Sequence, residues 1–122
     1  MHTAQSIFNA IWTRMRAQGI LSSYVGDGPM RRCRYRAPGG RACAAGSLLP
    51  DDLYCEGIEG ETARQLIASG EFGSAALSAR LLPFSGLIGN LQVAHDNANG
   101  PEDMEQRLRA VALLENLEVP SV

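Results

Sequence analysis

The sequence predicts an α+β fold that is mainly α, with roughly four to six helices packed around one short β-hairpin. Three observations lead there. Apolar residues recur at helical spacing near both ends of the chain; the period drops to two between Arg32 and Arg36; and Ala37-Pro38-Gly39-Gly40 supplies a turn directly afterwards. Length and composition agree with one globular domain over residues 1–122, since 122 residues with 45% hydrophobic and 20% charged side chains suffice to bury a core.

The first helix is predicted from Thr3 to Gln18, where Ile7, Phe8, Ile11, Trp12 and Met15 share a face, Thr3 caps the start and Gly19 ends it. Leu21 to Pro29 carries Gly26, Asp27 and Gly28 and is expected to be a loop. Cys33 and Tyr35 then alternate with Arg32, Arg34 and Arg36, the repeat of a half-buried strand. A type II turn at Pro38-Gly39 sends the chain back through Arg41 to Cys43, completing the expected hairpin.

Small apolar residues from Ala44 to Leu49 predict a short buried helix that Pro50 ends. Thr62 to Ser69, closed by Gly70, and Ala75 to Leu82, capped by Ser74 and ended by Pro83, are two more short helices. Over Ser85 to Asn97 the residues Leu87, Ile88, Leu91, Ala94 and His95 form one stripe, which turns His95 toward the core. Pro101 opens a closing helix with Met104, Leu108, Val111 and Leu114 on its inner face.

No run of about 20 apolar residues is present, and neither is a basic leader followed by an apolar stretch, so no membrane association and a cytoplasmic location are expected. Cys33, Cys43 and Cys55 are an odd set without C-x-x-C spacing, as suits free thiols in a reducing compartment. The net charge of −2 conceals a pattern, because Arg31, Arg32, Arg34, Arg36 and Arg41 precede Asp51, Asp52, Glu56, Glu59 and Glu61.

The residues Tyr35-Arg36, Gly40, Cys43-Ala44-Ala45-Gly46, Pro50-Asp51-Asp52-Leu53-Tyr54, Glu59-Gly60 and Leu91-Gln92-Val93-Ala94-His95-Asp96 carry a resemblance. Together they resemble a group of small proteins of unknown function encoded by tailed phages, prophages and bacterial genomes. Those proteins share a Y-R…G…C-A-x-G…P-D-x-x-Y…E-G…L-Q-x-x-H-D pattern. The likeness spans about half the chain, residues 35 to 96, and departs from the pattern at Ala45, where a larger aliphatic residue is expected, and in the longer stretch from Ser69 to Pro83. It brings no activity, cofactor or catalytic residue with it. It implies a bacterial or phage cytoplasm and an accessory, host-directed or defence-related role.

Cys43 sits at the predicted junction of strand and short helix, where terminal N–H groups stabilise a thiolate, and His95 with Asp96 would supply a base and its orienter. Against that enzyme reading, Ala44, Ala45 and Leu48 make the surroundings of Cys43 a core, and a histidine on an apolar stripe is more often structural. No familiar zinc spacing exists, so neither a metal nor another cofactor is expected.

The arginines allow two further readings. The five arginines Arg31, Arg32, Arg34, Arg36 and Arg41, of which Arg32, Arg34 and Arg36 share the strand face opposite Cys33 and Tyr35, would meet phosphates of a nucleic acid, with Tyr35 and Tyr24 as stacking partners, or carboxylates of a protein. The competing arrangement leaves them solvated or paired with the acidic stretch Asp51 to Glu61 of the same chain. A pI of about 5.6 disfavours a dedicated nucleic-acid binder. The expected function is therefore non-catalytic binding of a host or defence-related protein through the arginine-rich hairpin. A nucleic-acid-binding module using the same arginines is the alternative, followed by a thiol-dependent enzyme using Cys43, His95 and Asp96.

Overall fold

In the computed structural model the described residues are 2–18, 24–25, 32–33, 35, 42–98 and 101–120. Among the described residues five α-helices follow in order: α1 Ala4–Gln18, α2 Ala63–Ser69, α3 Ala75–Leu81, α4 Ser85–Asp96 and α5 Pro101–Leu114. Short 3-10 turns at Ala45–Leu48, Asp51–Leu53 and Glu56–Ile58 carry the chain toward α2, and another at Leu82–Phe84 joins α3 to α4.

The expected α+β class is overturned: the fold is all-α. Strand pairing among the described residues amounts to β1 Tyr24–Val25 against β2 Arg32–Cys33, a two-residue antiparallel contact with Tyr24 opposite Cys33. Arg32–Cys33 thus pairs backward with a segment expected to be loop, and not forward across Pro38-Gly39 toward Cys43. Two residues on each side are too few to form a layer that a core can pack on. The predicted turn, residues 37–40, lies outside the described residues, while Ala42 and Cys43 are buried and carry no strand.

Helix α1 begins where its capping chemistry directs. Thr3 Oγ1 accepts the Ser6 N–H at 3.0 Å while Ser6 Oγ accepts the Thr3 N–H at 2.8 Å, a reciprocal box that satisfies two donors of the first turn. Ile7, Phe8, Ile11, Trp12 and Met15 are all buried, and the Phe8 and Trp12 rings stack with centroids 5.9 Å apart. Arg16 and Arg109 lie over Trp12 at 5.4 and 5.1 Å from its ring centre, and Glu105 bridges the two guanidinium groups at 3.5 and 3.8 Å, tying α1 to α5.

Helix α4 is the hub. It packs on α1, α2, α5 and the Ala45–Leu48 turn, and its stripe of Leu87, Ile88, Leu91, Ala94 and His95 is buried as the spacing predicts. Met104 and Leu108 of α5 are buried too, but Leu114 is 87% exposed and Ala112 takes the inner place. At about 100° per residue, Leu114 points some 80° away from Met104 on one side of the stripe, beyond the edge that α4 covers. His2 is partly buried; burial first, then the terminal amino group and Arg80, lower its pKa below the ordinary histidine value.

Two helices end in the same way. After α2, Gly70 at φ +81° lets its N–H reach Ile67 O and the Glu71 N–H reach Leu66 O. After α5, Asn116 at φ +60° does the same, with Asn116 N–H to Leu113 O and Leu117 N–H to Ala112 O. Gly70→Ala should therefore cost about 1 kcal/mol of unfolding free energy. Asn116→Gly, which relieves the only described non-glycine residue at positive φ, should gain about 0.5 kcal/mol. Urea titrations of the two variants beside the parent chain measure both.

Candidate functional site

A groove of about 800 Å³ opens between the first turn of α2, one face of α4 and the loop that joins Cys55 to Thr62. It is built from close backbone approaches and a chain of internal hydrogen bonds. The first approach is at Gly46: a Cβ there would stand 2.5 Å from Tyr35 O, so only glycine lets the Ala45–Leu48 turn lie against the Tyr35 backbone.

Tyr35 is 6% exposed and is held on three sides. Its N–H donates to Glu59 Oε1 at 3.0 Å, its hydroxyl donates to Glu61 O, and its ring meets the edge of Phe72 at 6.0 Å between centroids. Glu59 Oε2 also accepts the Tyr54 hydroxyl at 2.7 Å, so one carboxylate ties Tyr35 to Tyr54. Across the groove, Gln92 Oε1 accepts the Ala45 N–H at 2.8 Å, and Gln92 Nε2 donates to Asp96 Oδ1 at 2.7 Å. The same Asp96 oxygen lies 3.4 Å from His95 Nδ1.

These contacts locate each predicted site residue. Cys43 is 2% exposed at the base of the groove, where its Sγ accepts the Gly46 N–H at 3.4 Å. His95 is fully buried, and among the described residues no hydrogen bond joins it to Cys43. Cys43 and Asp96 both line the groove and His95 does not, with Asp96 bonded to Gln92 and the thiol engaged by backbone. Tyr35 forms groove wall. Arg32 is placed only by its backbone in β2, and Arg31, Arg34, Arg36 and Arg41 lie outside the described residues, as therefore does their pairing with the Asp51 to Glu61 stretch.

Periodicity and spacing singled out neither Gln92 nor the face it belongs to. Gly89, Gln92, Val93 and Asp96 recur at i, i+3, i+4 and i+7, which puts them on one side of α4, and all four line the groove. Val93 is 57% exposed there, an apolar side chain in a concave place. Glu56, Glu59, Glu61 and Asp96 bring four carboxylates to the lining and Arg64 one guanidinium. Thr62, which starts α2, is consumed in a capping box with Gln65, so the lip of the groove is a fixed helix end.

The geometry sets two expectations. Glu59→Ala strips the acceptor from a buried N–H and a half-buried hydroxyl and should cost about 1–3 kcal/mol, with Glu59→Gln retaining much of that stability. Gly46→Ala should cost a comparable amount, about 1–3 kcal/mol, because backbone must move to admit the methyl group. Denaturant melts measure each. For the thiols, iodoacetamide should label exposed Cys55 quickly and Cys43 only as the protein unfolds. Rapid labelling of native Cys43, mapped by peptide mass, would restore the thiol-enzyme reading.

No helix among the described residues is long and apolar enough to cross a membrane. Comparison of the chain with family models, curated proteins and solved structures finds no match, which leaves the groove's own residues to argue its function.

Proposed function

We propose that the protein is a non-catalytic accessory module of the phage or prophage type, acting in the bacterial cytoplasm by binding a host or defence-related protein. The arginine-bearing segment 31–41 and the adjoining groove form the binding surface. One observation carries this reading: Tyr35, whose covalent neighbours are Arg34 and Arg36, is pinned by Glu59 and Glu61 into the wall of an open groove that exposes Val93. Covalent connection alone keeps those two arginines within one residue of that wall.

The polar groups of the region favour binding over reaction. Glu59, Gln92 and the Cys43 thiol are spent on internal hydrogen bonds that set the groove's shape. A large concave apolar surface rimmed by charge is suited to a protein segment. Four carboxylates in the lining disfavour a phosphate backbone at the same place.

The test is affinity capture from a bacterial host lysate with the parent chain and with Arg34→Ala and Arg36→Ala. If the arginines serve the partner and not the fold, both variants should stay folded, within about 0.5 kcal/mol of the parent, and should lose a specific retained protein. Retention of assorted nucleic acid that washes off steeply with salt would favour the nucleic-acid module instead. Unfolding of both variants would show the arginines to be internal partners of the Asp51 to Glu61 stretch and end the binding-face reading.

A further inference from the structure

We infer that Arg64 is the groove's anchor for a side-chain carboxylate on the protein segment that docks there, next to an apolar residue that covers Val93. This rests on the groove being the partner-binding surface, and it adds the chemistry of what binds. Local folding gives no reason for an arginine at this position. Arg64 stands in the first turn of α2, where the helix dipole disfavours a cation. Although Glu56, Glu59, Glu61 and Asp96 line the same groove, Arg64 has no ion pair or hydrogen-bond partner among the described residues.

Its stem is nevertheless positioned. A Cβ at Gly89 would lie 2.5 Å from Arg64 Cδ, 3.0 Å from Cγ and 3.6 Å from Nε, so the side chain rests on bare α4 backbone. Glycine inside α4 weakens that helix, and an unpaired arginine in the first turn weakens α2; the two local costs meet at one contact in the groove. Arg64 and Val93 both line the groove, and Val93 stands one turn from Gly89 on the same face of α4.

A guanidinium presents a planar fork of donors that matches a carboxylate bidentately. Glu59 and Asp96 of the same lining are already engaged by Tyr35, Tyr54 and Gln92, and the Arg64 fork has room for one carboxylate, which a peptide side chain brings. Exposed Val93 calls for an apolar side chain beside it. The occupant is thus a protein segment with a single Glu or Asp adjacent to a large apolar residue.

The probe peptides are Ac-Phe-Glu-NH2 and its neutral isostere Ac-Phe-Gln-NH2, titrated into the full-length ¹⁵N-labelled protein by NMR. The glutamate peptide should shift Arg64 Nε–H and the Gly89 and Val93 amides saturably, and at least about tenfold more tightly than the glutamine peptide, the expected effect of a charge-assisted bidentate pair. Arg64→Met keeps an apolar stem on Gly89 without the charge. It should reduce the glutamate peptide to the level of the glutamine peptide and leave the latter unchanged. Gly89→Ala keeps the charge but displaces the stem, and should weaken the glutamate peptide alone.

Equal binding of both peptides in the groove would overturn the role of Arg64 while leaving the groove a binding surface. Unchanged affinity in Arg64→Met would overturn it likewise. Absence of any shift at the groove would refute the inference outright, while the lysate capture tests the binding function separately. Because Arg64 is exposed, the amide spectrum of Arg64→Met checks that the fold is retained.

Discussion

The backbone of Gly46 lies against the backbone of Tyr35, and the groove depends on that approach. A single methyl at position 46 would fall 2.5 Å from the Tyr35 carbonyl oxygen. Once the two segments touch, Tyr35 is buried, and a buried N–H must find an acceptor. Glu59 supplies it and, through its second oxygen, takes in Tyr54 as well. The Tyr35 hydroxyl then fixes Glu61 O, one residue before the Thr62 cap of α2. One close contact thereby sets the position of the loop and of the helix that bound the groove.

Helix α4 completes the structure by having two working faces. Leu87, Ile88, Leu91, Ala94 and His95 supply the core, whose burial is the main stabilising force. Gly89, Gln92, Val93 and Asp96 supply the groove. Gln92 connects the two halves of the site, since its amide accepts from Ala45 on one side and donates to Asp96 on the other. An amide can do both at once, which neither a carboxylate nor an ammonium group can.

This use of polar side chains separates shape from chemistry. A reactive thiol needs an exposed position and a free base. Cys43 is instead buried at the base of the groove with Gly46 N–H on its sulfur, and Asp96 is committed to Gln92. What the groove offers outward is Val93 and the Arg64 guanidinium.

Helix positions, the caps at Thr3, Gly70 and Ser74 and the buried stripe of α4 were legible in the sequence, because 3.6-residue periodicity and capping chemistry act over a few residues. The burial of Cys43 and His95 followed from the apolar residues beside them. The hairpin did not survive: alternation over Arg32 to Arg36 is a local signal, whereas strand pairing is decided by whichever segment the fold brings alongside, and that segment is Tyr24–Val25. The residues of the groove were partly named by the resemblance, which includes Tyr35, Cys43, Gly46, Tyr54, Glu59, Gln92 and Asp96. Their mutual bonds were not legible, since partners 24 to 47 residues apart meet only after the core has formed. The second face of α4 also escaped, because a stripe of glycine, glutamine, valine and aspartate looks like solvent surface until a loop and a helix end close over its edge.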